Sequence, residues 1–412
     1  MRKRFILPLL FSALIAAPFA EAAISVNLAY LALSQQAMPN SKGDTFTQFT
    51  APHLSMGYTL FYGSGQLGSF GLFTNYYGYL RAIATNTTLI PLSTSTFTSF
   101  SNLSDFNSIS SSFNQSILNG NMAFVATDQN WETAIYNLQN SVPTLIANQD
   151  TPIPKGQSTF SGFAYPTALS NNAVAFWASG NNNQEGLYQT NSKGHLSVLI
   201  NTTTLIPHKI STFQHFLYPA FSRDSTANTN TFAFVGVDNQ NKKGIYLYNK
   251  GKISTITDQT TSIPNGGVGY FTDFRDLSFD ATTNTLAFVA DGILGQTGLY
   301  FYNGSSIVSL ALPNSLLPDG VGQFTHFQSP CVVGKNVVFS ATGSHNLQGI
   351  YFASSDGSLY KVVSNHDVIN KKNIQDIAIS HEVFSGNQVS LLVHFTDGSS
   401  GIYVGVIKGI AY

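Results

Sequence analysis

Four side chains able to hold a metal or move a proton recur at one slot of a repeated phrase. They are His215, Asp273, His326 and Asp376, each third in "FQHF", "FTDF", "FTHF" and "IQDI". The same slot holds Gln48, Ser99 and Gly162 in three earlier copies. Imidazoles and carboxylates brought together would bind a divalent cation or a polar ligand. If instead the slot is a turn position, polar residues there cap nearby backbone groups. The turn reading leads, because Asp, Ser, Gly and Gln all suit it.

A second slot lies four residues after the second aromatic of the phrase. It reads His53, Ser104, Thr167, Ala220, Ser278, Cys331 and His381, with Glu382 following directly. His53 and His381 belong to the first and last copies, so they become neighbours if the copies form a ring. The leading reading is that small and polar residues fill a narrow channel, with the two histidines flanking it. No GxSxG, P-loop, HExxH, CxxC or EF-hand pattern is present, so no catalytic residue is assigned. The loops "DSTANTN" (224–230) and "VDNQNKK" (237–243) carry too few carboxylates for calcium and read as hairpin turns.

The elements that position these slots come from the repeat itself. Aromatic-x-x-aromatic occurs at Phe46/Phe49, Phe97/Phe100, Phe160/Phe163, Phe213/Phe216, Phe271/Phe274 and Phe324/Phe327, with Ile374/Ile377 as a weakened seventh. Gly-(Leu/Ile)-aromatic begins at Gly71, Gly186, Gly244, Gly298, Gly349 and Gly401, and Ala134 takes the glycine's place in "AIY". A third phrase, usually Ile-Pro, keeps the same order through the chain, as at Ile153-Pro154 and Ile263-Pro264.

Each unit reads as four short strands separated by Asn, Asp, Gly, Ser and Pro turns. Aromatics three apart cannot share a face of a regular strand, so the phrase requires a turn or bulge. Its two rings are expected to plug neighbouring apolar gaps. The second strand is apolar on successive residues, as in "FAFVGV" (232–237), which implies cover on both faces. Sheets stacked around an axis supply that cover. The expected fold is all-β, a seven-bladed β-propeller of four-stranded blades. "AISVNLAYLALSQQ" (23–36) stands where a fourth strand would, without a blade of its own, and is expected to complete the last blade and close the ring. An outer-membrane barrel is disfavoured, because its strands are longer and alternate.

Arg2, Lys3 and Arg4, an apolar run to Phe19 and Ala20-Glu21-Ala22 read as a secretory leader cut after Ala22. The expected organisation is therefore residues 1–22 as leader and 23–412 as one propeller domain. The remainder carries 16 basic and 19 acidic residues, a formal charge of −3, which gives no strong attraction for nucleic acid or an anionic membrane. No later run is long enough to span a bilayer. The single cysteine, Cys331, excludes an intrachain disulfide and reads as a small core residue.

The unit "IP-x-G…F-x-x-F…AF-x-A…GIY-x-Y", clearest in "IPKGQSTFSGFAYP", "IPNGGVGYFTDF" and "LPDGVGQFTHF", resembles a repeat of uncharacterised secreted bacterial β-propeller proteins. Some of those carry a C-terminal sorting anchor. The resemblance spans about residues 40 to 403 and implies the fold and export, but no enzyme activity. The ends here differ: "GVIKGIAY" has neither a span nor an arginine tail.

The sequence therefore leads to an exported monomeric binding or interaction module, secreted or periplasmic, with a protein or carbohydrate ligand. No cofactor is expected. The alternatives are a hydrolase or lyase using His215, Asp273, His326 and Asp376, with a divalent metal as its one candidate cofactor, and a surface adhesin or host-directed factor.

Overall fold

In the computed structural model every repeat becomes an antiparallel sheet of four main strands, which follow chain order in all but the last. The structure describes residues 24–409, apart from 77, 92, 101–114, 119, 140–141, 223–229, 265–266 and 319–321. The leader read at 1–22 lies outside the described residues, as do Ser104 and nearly all of the 224–230 loop.

Blade 5 is typical: Phe271–Asp280, Thr285–Gly292, Thr297–Tyr302 and Ile307–Ala311. The first strands of successive blades are neighbours and form the inner wall of the ring. The second strand explains why an apolar run is needed. In blade 4, Thr231–Val237 is buried from Phe232 onward, so both faces meet adjoining blades. Seven such sheets form a seven-bladed β-propeller rather than a barrel.

The last blade is made from both ends of the chain. Lys372–Ala378, Gln388–Phe395 and Ser400–Lys408 are its first three strands. Ser25–Leu33 is the fourth, running antiparallel to Ser400–Lys408 from Ser25↔Lys408 to Leu33↔Gly401. Val26, Leu28 and Leu33 pack against the core of that blade. Closure removes the two free sheet edges an open ring would expose.

The bulge expected in the aromatic phrase is present. Register shifts fall between Phe160/Gly162, Phe271/Asp273 and Phe324/His326, and in the copies of blades 1 and 7. The extra residue turns both rings to the same side. They therefore share one cluster instead of plugging separate gaps, which corrects the expectation. In blade 5, Phe271 and Phe274 have centroids 5.4 Å apart. Phe271 also meets Tyr300 edge-on at 5.0 Å and 89°. Tyr300 in turn stacks on Phe288 of the second strand at 5.6 Å. The same quartet recurs at Phe160/Phe163/Phe176/Tyr188, Phe213/Phe216/Phe234/Tyr246 and Phe324/Phe327/Phe339/Tyr351.

The glycine of Gly-(Leu/Ile)-Tyr makes room for that tyrosine two residues on. A Cβ on Gly298 would stand 2.6 Å from the Tyr300 hydroxyl oxygen and 2.7 Å from its ring. The Ile-Pro loops return the chain to the next inner strand. Their apolar residue is buried at the blade end, as Ile153 is beneath Gly180, where a side chain would collide with it. Cys331 is fully buried, as expected. Among the described residues no helix is long and apolar enough to cross a membrane.

Candidate functional site

The third-slot residues sit at the start of the inner strands, and the structure pairs two of them across blades. His215 Nδ1 lies 2.9 Å from Glu185 of blade 3. Asp273 takes Lys243 of blade 4 at 2.7 and 2.9 Å. Glu185 and Lys243 are equivalent: each immediately precedes the glycine of the third strand. At these two seams His answers Glu and Asp answers Lys one blade earlier; the equivalent positions of blades 5 and 6 are Thr297 and Gln348, which carry no charge. Asp376 instead pairs with His394 of its own blade at 2.7 Å. His326 faces Asp276, whose carboxyl it helps to hold down against burial. His215 and Asp273 are thus occupied at two different seams, and Asp376 within its own blade. Among the described residues no three His, Cys, Asp or Glu side chains are placed to hold a metal ion.

The second slot lies deeper along the same strands. Thr167, Ala220, Ser278 and His381 face a cavity at the far end of the channel, where the first and second strands turn. Several polar residues of this wall also staple one blade to the next. Ser278 Oγ accepts the N–H of Val332 at 3.0 Å, and Asp280 Oδ2 accepts that of Gly334 at 2.6 Å. Ser222 Oγ accepts from Ala281 N–H at 3.1 Å, and Ser385 Oγ from Met56 N–H at 2.9 Å. Filling a narrow channel is therefore only part of their work. They satisfy backbone donors that three of the seams would leave without partners.

A further set was not singled out in the sequence. A second bulge in blades 3 to 6 puts Tyr165, Tyr218, Asp276 and Ser329 in left-handed backbone, with φ of 51°, 48°, 53° and 48°. Bulky residues seldom accept that region, and such strain clusters where the surroundings hold it in place. Asp276 Oδ2 accepts the N–H of Ser329, its equivalent in the next blade, at 3.3 Å. Burial raises the pKa of Asp276. The Ser329 bond and the charges of Arg275 and His326 oppose the rise. Burial likewise raises Tyr165 and Tyr218, with Asp276 adding to both. The signal was present in the sequence, since all four stand two residues after the second aromatic, three of them before proline.

His53 and His381 do come together, at the junction of blades 1 and 7. Their rings are 5.5 Å apart, edge to face. His53 is fully buried, and its Nδ1 lies 3.2 Å from Glu382 Oε2. Ser116 of blade 2 donates to the same oxygen at 3.0 Å. His381 Nε2 lies 4.0 Å from Glu382 Oε1. Leu54 N–H donates to the Glu382 carbonyl at 2.6 Å, and Ser380 Oγ to the Pro52 carbonyl at 2.7 Å. Serine, glutamate and histidine are all present, with the glutamate between the other two. Ser116 is bonded to the acid and not to the imidazole, unlike a serine–histidine–acid triad.

The cavity above this junction encloses about 380 Å³. Six of the seven blades contribute to its wall, among them Ser55, Thr167, Ser278, Asp280, His381 and Glu382. Met56, Pro219, Leu277, Val332 and Phe384 supply apolar surface. The loop at 237–243 is the hairpin turn that was expected: Asp238 Oδ1 accepts the N–H groups of Gln240 and Lys242, both at 2.9 Å.

Residues 20–310 match a family of unknown function, DUF7453. No curated protein matches the sequence. Solved structures share the fold at low identity. A puromycin-hydrolyzing peptidase from Mycobacterium tuberculosis aligns with a TM-score of 0.51 at 11% identity, over 84% of this chain and 49% of its own. This chain thus spans about half the length of that peptidase. The β-propeller domain of the Trilobed protease from Pyrococcus furiosus aligns at 0.47 and 9% identity, over 87% of this chain and 95% of its own. The BP39L lectin from Burkholderia pseudomallei aligns at 0.39 and 12%, over 95% and 97%.

Proposed function

The chain belongs to DUF7453, a family of unknown function, and we propose that it is an exported binding module whose ligand enters the channel at the hairpin end. The observation that carries this is the cavity of about 380 Å³, within the size of small-ligand pockets and lined by a few polar groups on apolar walls. Its walls are inner strands stapled blade to blade, so the pocket is largely formed before a ligand arrives. That rigidity lowers the entropic cost of binding. Catalysis is not part of the proposal. Ser116 meets Glu382 rather than an imidazole, and His215 and Asp273 are engaged at separate seams.

Thermal-shift screening of small ligands against the purified protein tests this reading, with a plugged variant beside it. Thr282 is exposed on the rim. Thr282→Trp should fold normally and abolish the shifts. Ligands that stabilise the variant and the unaltered protein alike would place binding elsewhere. Export is checked separately by the intact mass of the extracytoplasmic protein, expected to begin at Ala23.

A further inference from the structure

We propose that the ligand of this cavity is a primary ammonium group carried on an unbranched alkyl stem, a proposal that rests on the binding reading above and names its chemical class. The lining offers acceptors almost throughout. Asp280 stands at the mouth, and Glu382 and His381 lie deeper, among the hydroxyls of Ser55, Thr167, Ser222, Thr283 and Ser385. Among the described lining residues there is neither lysine nor arginine. Lys335, beside Gly334, is exposed and does not line the cavity. An anionic ligand would meet two carboxylates and no side-chain cation. A neutral polyol would bring no charge to complement Asp280.

Asp280 fixes the position of the charge. Its Oδ1 accepts the N–H of Thr282 at 2.8 Å and its Oδ2 that of Gly334 at 2.6 Å. A carboxylate has about four acceptor sites, so the two backbone bonds anchor the group and leave it able to accept from a ligand. An ammonium brings three donors and no acceptor, which matches a carboxylate in a cavity whose wall also carries hydroxyls. The apolar walls of Leu277, Val332 and Phe384 then suit methylenes, as alkyl stems lie along apolar surface while their charged ends stay among polar groups. The chemistry has two sources, a free small diamine and a lysine side chain of a peptide.

Calorimetric titration of the purified protein with 1,5-diaminopentane and with acetyl-Gly-Lys-Gly-amide separates the sources. Glutarate and 1,5-pentanediol serve as anionic and neutral probes of similar length. At least one amine should bind, more weakly as salt rises, and should shift the His381 ring resonances. Asp280→Asn should weaken it about tenfold or more, since hydrogen bonds to charged groups are worth more than neutral ones. Thr282→Trp should abolish it. Tighter diamine binding assigns a free amine, and tighter peptide binding a lysine side chain. If glutarate or pentanediol binds as tightly as the diamine at His381, the ligand class is wrong and the binding reading survives. If no probe shifts His381 and the wider screen finds no pocket-dependent ligand, both fall. The His381 readout uses the unaltered protein, so the proposal can fail even if Asp280→Asn destabilises the fold.

Discussion

His53 and Glu382 stand 3.2 Å apart across the junction of the first and last blades, both almost wholly shielded from water. Their partner Ser116 comes from a third blade, so one carboxylate ties together the two ends of the ring and the blade beside them. Removing one member of such a pair leaves the other's polar group buried without its partner, which is costlier than losing the attraction alone.

His53→Ala should therefore destabilise the protein by about 3 kcal/mol. Glu382→Gln, which keeps an acceptor for Ser116, should cost less. Chemical denaturation of both variants checks the order. Equal and small losses would show that the pair is incidental to the junction.

Asp276 should make stability depend on pH in a particular sense. Burial raises its pKa, offset only in part by the Ser329 bond and by Arg275 and His326. The folded state then holds the proton more tightly than the unfolded chain, whose carboxyl titrates near pH 3.9. This site favours folding most fully below about pH 4, and the benefit is lost as pH rises through the raised native value. Asp276→Asn keeps an acceptor for Ser329 and tolerates left-handed backbone. It should raise Tm at pH 7 and match the unaltered protein near pH 3. A lower Tm at pH 7 would mean that the charge itself is needed.

The Gly298–Tyr300 contact predicts a coupled pair. Gly298→Ala drives a methyl group into the tyrosine and should cost about 1–3 kcal/mol. The Tyr300 hydroxyl is buried without a hydrogen-bond partner among the described residues. Tyr300→Phe should thus be within about 1 kcal/mol of neutral, since no bond is lost. Combined with Gly298→Ala it should recover part of the loss. Simple additivity in a double-mutant cycle would show that the hydroxyl is not what the methyl group strikes.

Third-slot pairs should matter little to stability and not at all to ligand binding. Lys243 and Asp273 are partly exposed, so Asp273→Ala should cost less than about 1 kcal/mol. His215→Ala should behave alike. The swap of Lys243→Asp with Asp273→Lys should be more stable than either single change. Loss of ligand affinity in His215→Ala with Tm preserved would return these residues to a functional role.

The architecture was readable because three phrases recur in fixed order, and each now has a steric cause: shared aromatic quartets, room for a tyrosine, a buried loop residue. The pairing of His215 and Asp273 was not readable from the aromatic phrase alone. Their partners Glu185 and Lys243 lie thirty residues upstream, in a different phrase of the preceding repeat. Ser116 was hidden for another reason. The described inner strand of blade 2 begins at Gln115, well beyond Phe100, so counting from the aromatics points to Ser104 instead. Asp280 and Asp276 escaped notice because their role depends on facing the next blade's backbone, which no pattern within one repeat records.

The strand at Ser25–Leu33 also sets an order of events. It leaves the ribosome long before its partner, Ser400–Lys408, is made. Until then its apolar side chains have no blade to join, while six other sheets can form from local hairpins. Completion must wait for a contact that spans all the blades, the kind that slows folding most and leaves a strand edge open to other molecules meanwhile. A holding chaperone, or a delay in release, would matter more to this protein than to an open array of the same blades.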